Sequence, residues 1–555
     1  MEKRTIIAFV LSFLVLLIWS FLFAPKQEQV PSKKTDIPAK KEQAVSESTK
    51  SPIPQKAVIQ PKAIQKEDRV TPQIDEKEIS IETPLYSAVI TNIGAAIKSF
   101  RLKKYHLNTE SDSPIIELVN LKEGREDFLR INFYNQSRVS NEKIIYHINE
   151  ESLKLGHNSP PRDLIFSSGT SDGISIIQTF RFYPDRYNID LIITLMNNSE
   201  KQVEGSLQAR LKNLPPQEKK SYYSFTGFAL LLNGGLEEIE VKDLEKDKNY
   251  SGRIGWVAYE DDFFISSVIF EDTEEGGFKG RLLKEGVIDA TYTSMPISLK
   301  NLEQHTSRFS LYLGPRDLGI LKQLGKDLDL AINFGWTDII AKPLLHTLRF
   351  CNKYLNNYGI SIIILTVLIK ILFWPLTQKS YKSMKAMQKL QPLMAKIREK
   401  HKNNKEQMNK ELMALYKTYK VNPMGGCLPM IIQIPVFFAL FRTLGNSIEL
   451  RHAPFLLWIN DLSAPDRLFN FPFQIPFMSP PYGIPVLTLL MGASMYIQQK
   501  MTPTVGDPTQ AKIMMFLPII FTGMFINFPS GLVLYWLVNN ILSIGQQYGI
   551  KRRPD

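Results

Sequence analysis

YGISIIILTVLIKILFWPLTQK, Tyr358 to Lys379, is the stretch on which the reading of this chain turns. It is apolar and long enough to cross a bilayer as a helix, for which about 20 residues suffice. Lys370 nevertheless lies deep inside it. A charge near the centre of a membrane helix costs roughly 2.5–3.5 kcal/mol on insertion scales, so such a side chain normally faces protein, water or a partner rather than lipid tails. The bland alternative is snorkelling, in which the ammonium bends to the nearer interface. Lys379 marks that interface, about 13 Å further along a helix, and a lysine stem spans only about half of that distance. A water-accessible lysine with a working role is the stronger reading.

Upstream, Lys3 and Arg4 precede Ile6 to Ala24, an uncharged apolar run of about one bilayer thickness. The run is longer than a usual signal core, and Leu22 is too bulky for small-x-small cleavage, so an uncleaved anchor over 1–24 is expected. Residues 25–75 are rich in Pro, Lys, Gln, Ser and Glu with almost no aromatics, a composition that cannot offset ordering entropy and reads as a flexible linker. From 76 to 315 the period changes to two. Glu78-Ile79-Ser80-Ile81-Glu82 alternates, Ile174 to Asn198 reads as two strands around a Pro-Asp turn, and Phe263 to Phe270 as another strand. Many short strands separated by turn residues imply one large β-sandwich. Between 316 and 357 apolar and basic residues share a helical pattern, suited to an amphipathic segment in the membrane interface.

Lys379 to Lys420 is the most basic part of the chain. Met387, Leu390, Met394 and Ile397 recur at helical spacing, as do Met408, Leu412, Leu415 and Tyr419, which predicts a two-helix hairpin over 379–424 with Pro392 starting or kinking its first helix. Apolar runs at Gly425–Leu444, Ile484–Ile497, Ile513–Phe528 and Leu532–Ile544 bring the expected spans to six. The basic hairpin and the Lys551-Arg552-Arg553 end then fall on the side of Lys3 and Arg4, the cytoplasm, and the β domain falls outside. This placement accounts for most of the net charge of +12 without nucleic acid, and no specific nucleic-acid sequence is expected as a partner.

Thr366 and Lys370 lie one turn apart, and Trp536 and Asn540 have the same spacing on the last span. Joined by Gln433, they are expected to line a polar groove open to the cytoplasm. Pro and polar groups at membrane depth need protein or water around them. Such a groove lowers the cost of drawing a polar tail into the membrane, with Lys370 attracting carboxylates. Other chemistry is missing from the pattern. The seven histidines are scattered without metal spacing, and no GxSxG, HExxH or phosphate-cradling loop occurs, so no catalytic residue, metal or cofactor is expected. Cys351 and Cys427 sit at predicted membrane segments and read as packing residues. Glu260-Asp261-Asp262 reads as a solvated turn before a buried strand.

The stretches GWTDIIAKPLL (335–345), WPLTQKSYKSMKAMQKLQP (374–392), LMALYKTYKVNPMGGCLPMIIQIPVF (412–437), APFLLWINDLSAPD (453–466) and FPSGLVLYW (528–536) resemble the YidC/Oxa1/Alb3 family of membrane protein insertases. GWVA at 255–258 and YLGP at 312–315 match more loosely. The resemblance implies a multi-domain membrane protein: an α-helical bundle of six transmembrane helices, with a five-helix core over 358–555, plus a large periplasmic all-β sandwich. It implies a non-enzymatic insertase and chaperone in the bacterial inner membrane. Nascent membrane proteins, the ribosome, the Sec translocon and the phospholipid bilayer are the implied partners. The implied groove comprises Lys370, Thr366, Gln433, Trp536, Tyr535 and Asn540. Ribosome contact would rest on Lys385, Lys389, Lys396, Arg398, Lys402 and Lys405, together with the loop Thr502 to Ala511. The family places arginine where this chain has Lys370, which keeps a point charge without the planar fork. Trp536 stands where some members have tyrosine.

Two other classes compete. An ion-coupled carrier or channel predicts repeated half-spans and acidic coupling residues at mid-membrane, which the sequence does not offer. A membrane-anchored periplasmic enzyme acting on sugars or lipids is suggested only by the sandwich, and no site supports it.

Overall fold

The structure is a computed structural model that describes residues 76–110, 112–121, 127–135, 144–170, 173–216, 225–271, 275–421, 428–502 and 508–552. The expected anchor over 1–24, the linker over 25–75 and Cys427 lie outside the described residues.

The β region is built of two sheets, antiparallel except where Glu78–Glu82 runs parallel to Ser152–Lys154, that share one long strand, Lys248–Glu260. Its first half, Lys248 to Arg253, pairs with Glu275–Leu282, which continues through Ile288–Ser294, Val203–Asn213 and Leu129–Asn135. Its second half, Trp256 to Glu260, pairs with Phe264–Phe270, which continues through Gln304–Pro315, Asn188–Asn197 and Ile174–Phe182. The strand Ile174–Phe182 alternates buried and outward positions as its period-two sequence requires, and pairs with Asn188–Asn197 across the Pro-Asp turn. The inner faces meet at Phe270 stacked on Tyr292, ring centroids 4.0 Å apart, and at Phe228 against Phe278. The side chain of Gln178 crosses from one sheet to the other to donate to the Ile131 carbonyl at 2.8 Å.

The sequence expectation fails at Glu260. This carboxylate is not on a solvated turn; it is fully buried and pairs with Arg316 Nε at 3.0 Å. Arg316 arrives from just beyond the strand Gln304–Pro315, and its guanidinium also donates to the carbonyls of Asp261 and Ala331, both at 2.6 Å. A buried acid is tolerated when a partner charge and further hydrogen bonds come with it, and that partner is 56 residues away in sequence.

The helices are α1 (Leu318–Leu324), α2 (Asp338–Leu355), α3 (Tyr358–Lys400), α4 (Lys405–Thr418), α5 (Leu428–Asn446), α6 (Val486–Met501), α7 (Pro508–Phe525) and α8 (Ser530–Arg552). Among the described residues, α3 is the one helix long and apolar enough to cross a membrane by length and hydropathy together, and Met514–Phe525 is a shorter apolar helix. The remaining expected spans correspond to α5, α6, α7 and α8, whose apolar runs are interrupted by Arg442, Gln498, Lys512, Asn539 and Asn540. A first turn is capped at α3 by Asn357, whose side chain accepts from the Ile360 N–H at 3.0 Å. Helix α8 packs against α3, α5 and α6, while α7 packs against α6. The bundle interior contains Ile362, Leu365, Leu440, Leu444, Met491, Phe525 and Leu532.

The hairpin differs from expectation in one respect. Of the two roles expected of Pro392, the start is overturned: the first helix does not begin there but continues from α3, which carries both Pro375 and Pro392 within it. Helix α4 folds back on it, burying Met387, Leu390, Met394 and Leu412. Hydrophobic packing over two helix faces outweighs the hydrogen bond that each proline removes.

Candidate functional site

Lys370 projects from α3 onto α8. Its ammonium donates to Ser543 Oγ at 2.6 Å and to Asn539 Oδ1 at 3.3 Å. Ser543 donates its own O–H to the backbone carbonyl of Asn539 at 2.7 Å, leaving its oxygen lone pairs for the lysine. Both acceptors are neutral, and among the described residues no carboxylate pairs with Lys370. Beside the ammonium lies a small open recess, with a cavity volume of about 20 Å³, lined by Ile369, Lys370, Phe373, Leu376 and Thr377 of α3, Gln433 of α5 and Asn539 of α8. Gln433 also donates to the hydroxyl of buried Tyr535 at 3.2 Å. Further along the same seam, one turn on along α8, Gln547 donates to Tyr381 OH at 3.1 Å, a second polar contact between α3 and α8. A positive charge held by neutral dipoles at the edge of an open recess has electrostatic capacity left for an anionic group.

The structure brings some of the expected residues together and separates others. Lys370 and Gln433 share the recess. Thr366 is buried and donates to the Ile362 carbonyl of its own helix at 2.7 Å. Asn540 points away from Lys370 and donates to Ser494 Oγ of α6 at 2.9 Å. Trp536 is enclosed by Phe437, Phe521 and Phe525, its ring centroid 4.9 Å from those of Phe437 and Phe525. The part of α8 that meets the lysine therefore carries Asn539 and Ser543 rather than Trp536 and Asn540. Adjacent helix positions differ by about 100° in direction, so the pairs 536/540 and 539/543 are equally well spaced in sequence. Only the packing of α8 on α6 selects between them. Thr377 at the recess was also not anticipated, although it lies two turns beyond Lys370 on α3.

The basic residues of the hairpin lie beyond Lys379. Lys389, Lys396 and Lys402 are exposed, Lys385 and Arg398 half-buried, and the side chain of Lys405 is outside the described residues. The loop from Thr502 towards Ala511 is described only at its ends. Among the described residues no cluster of His, Cys, Asp or Glu could hold a metal ion.

Comparison with known proteins bears on both halves of the chain. Residues 350–555 match the family model of the 60Kd inner membrane protein, and residues 78–347 match that of the YidC periplasmic domain. Similar proteins include the membrane protein insertase YidC of Syntrophobacter fumaroxidans, 42% identical with 100% of both chains covered. That of Pelobacter propionicus is 40% identical over 100% of this chain and 99% of its own. Among solved structures, a crystal structure of an active YidC insertase with its first transmembrane domain resolved covers 85% of this chain and 92% of its own, at 19% identity and a TM-score of 0.36.

Proposed function

The chain belongs to the YidC family of membrane protein insertases, and from that membership we propose that it works through the polar recess between α3, α5 and α8. Membership itself brings a non-enzymatic role, membrane-protein clients, an inner-membrane location and a periplasmic domain. The proposal adds the mechanism. A nascent membrane protein, delivered by the ribosome alone or with the Sec translocon, places its polar tail in the recess from the cytoplasmic side. Its apolar segment meanwhile partitions into lipid alongside α3. No bond is made or broken. The work done is a reduction of the desolvation cost of polar and charged groups, which in hydrocarbon amounts to several kcal/mol per group. In this reading α3, α5, α6, α7 and α8 are the five core spans and 1–24 is the sixth, with both termini cytoplasmic. Exposed Ile371, Leu372, Ile519 and Ile520 form the lipid-facing surface, and α2, with Ile339, Phe350 and Tyr354 exposed, lies in the interface. The hairpin offers its exposed lysines to the ribosome.

The observation that carries the proposal is the pairing of Lys370 with two neutral acceptors beside open space. The test is insertion into reconstituted vesicles of two clients, one with an acidic tail and one wholly apolar. Lys370→Ala is expected to slow the acidic client roughly ten-fold, the worth of a charge-assisted hydrogen bond, and to leave the apolar client nearly unchanged. Lys370→Arg is expected to retain both. Equal rates for the two clients with the Ala variant would refute the recess mechanism.

A further inference from the structure

The segment between α5 and α6 contains a small antiparallel hairpin, Leu468–Phe471 paired with Tyr482–Ile484. Three features of it do not suit a loop in water. From Leu468 to Gln499, through the hairpin and nearly to the end of α6, there is no charged side chain. Its largest apolar side chains point outward: Phe469 is 68% exposed, Phe473 60% and Phe477 93%. Its backbone is short of donors, and part of its polarity is taken up internally. Pro472, Pro476, Pro480, Pro481 and Pro485 carry no N–H. Arg467 donates to the carbonyls of Pro481 at 2.8 Å, Ile526 at 2.8 Å and Ser479 at 3.4 Å. Asn527 donates to the Phe477 carbonyl at 2.9 Å and accepts from the Ser479 N–H at 2.8 Å.

A loop with outward phenylalanines, no charge and few backbone donors fits the interfacial zone of a bilayer, where apolar rings are buried and headgroups and water still meet the remaining peptide groups. Its attachment points, taken with the orientation proposed above on which the choice of leaflet rests, say where that zone is. Arg467 and Asn527 tie it to the turn between α7 and α8, and Asp466 caps the start of α6 by accepting from the Leu487 N–H at 2.5 Å. The exposed faces of α6 (Leu489, Leu490) and α7 (Ile519, Ile520) belong to the helices that hold it. Leu456 and Leu457, also exposed, precede it in the same connection, where the Phe455 carbonyl accepts from Asn357 at the start of α3. We propose that the hairpin Leu468–Ile484 is immersed in the outer leaflet of the bilayer, at the boundary of headgroups and acyl chains, where aromatic rings are favoured. It forms an outer anchor continuous with the lipid-facing surfaces of α6 and α7. The inference is independent of any role for Lys370.

The test uses the full chain in phosphatidylcholine/phosphatidylglycerol vesicles, with Cys351→Ser and Cys427→Ser, and nitroxide labels placed singly by Phe469→Cys, Phe473→Cys and Phe477→Cys. Ile519→Cys on α7 and Glu151→Cys on the β domain serve as lipid and water references. Relaxation by oxygen exceeding relaxation by a water-soluble nickel complex at the three hairpin positions, as at position 519, is the expected result. The reverse ordering, as at position 151, would place the hairpin in water and overturn the proposal. Low accessibility to both agents would overturn it too, since protein would then cover the rings, whether from this chain, a second copy or another partner. Quenching of Phe477→Trp fluorescence by brominated lipid, measured as the gain in quenching over the parent chain, decides the matter should a labelled variant fail to fold. A gain supports immersion and no gain overturns it.

Discussion

Lys370 is defined by what it touches as much as by its charge. Two neutral acceptors hold the ammonium in place without cancelling it, whereas a carboxylate at the same distance would neutralise the recess and cost it any pull on a client. Asn539 and Ser543 are thus positioning residues for the proposed mechanism, and the pair is expected to matter together. Replacing both, Asn539→Leu with Ser543→Ala, removes the acceptors and lets the lysine swing. Insertion of an acidic-tailed client is expected to fall by up to roughly ten-fold, as on loss of the lysine, while each single change has the smaller effect of one weak hydrogen bond, roughly two-fold. Rates for the four proteins of that double-mutant cycle read the coupling directly; additive effects would mean that the two acceptors do not act through the lysine. Asn540, one position on, supplies the internal control. Asn540→Leu leaves Ser494 without its donor and is expected to lower thermal stability while leaving discrimination between the two clients unchanged.

At the scale of elements, α3 is a single rod from the periplasm-facing start at Tyr358 to Lys400, in the orientation proposed above, so the span that carries Lys370 and the first arm of the basic hairpin are mechanically one piece. Among the described residues the second arm is held by the small cluster of Met387, Leu390, Met394 and Leu412, with Ile397, Met408, Leu415 and Tyr416 packed against it, by Tyr416 OH on Met394 Sδ at 3.9 Å, and by Glu411 with His401 Nε2 at 2.8 Å and Lys400 Nζ at 3.7 Å. Such a cluster is the kind of low-stability unit that opens locally. Met394→Asp places an unpaired charge in it, at a cost of a few kcal/mol, roughly 3. Trypsin is expected to cut the variant between Lys400 and Lys420 much faster than the parent chain, with the bundle and β domain remaining intact. Unchanged cleavage would show that α4 is held by something other than this cluster.

At the scale of the whole molecule, the β domain and helices form a continuous packed body rather than a globule on a string. The domain's hydrophobic core runs on through Leu318, Leu328, Phe334, Ala341, Leu345 and Ile448. Arginines fasten the seam. Arg349 of α2 bridges Asp317 at 3.3 Å and Glu449 at 3.5 Å, and Arg451 donates to the His106 carbonyl at 2.6 Å while lying over the rings of Phe263 and Phe264. Excising residues 78–315 therefore leaves the recess intact but uncovers an apolar patch. The shortened protein is expected to keep insertion activity in vesicles while aggregating in detergent more readily than the parent. Complete loss of insertion in a well-folded deletion would give the domain a part in insertion itself.

Burial pushes the Glu449 carboxyl up from its ordinary 4.5 to about 7, helped by nearby Asp317 and opposed by Arg349. With the native pKa above the unfolded one, its contribution to stability is fully present below about pH 4.5 and is lost as pH rises through about 7. The thermal midpoint of the parent relative to Glu449→Gln is thus expected to drop between pH 5 and pH 8. A gap that does not change with pH would mean that the group titrates normally.

Much of the architecture was legible because it follows from local periodicity. The lysine in an apolar helix, the change to period two after residue 76, the paired strands around Pro184-Asp185 and the basic helical hairpin are all patterns over a few consecutive turns or pleats, where burial of one face fixes the conformation. What the sequence left open were choices between equally periodic alternatives and contacts between distant segments. Whether 536/540 or 539/543 meets Lys370 depends on how α8 rolls against α6. Whether Glu260 faces water depends on Arg316 coming back from the end of Gln304–Pro315, two strands over in the sheet. Whether Pro392 starts a helix or lies within one depends on what α4 covers. Each is decided by packing energy shared among elements far apart in the chain, and no window along the sequence contains that information.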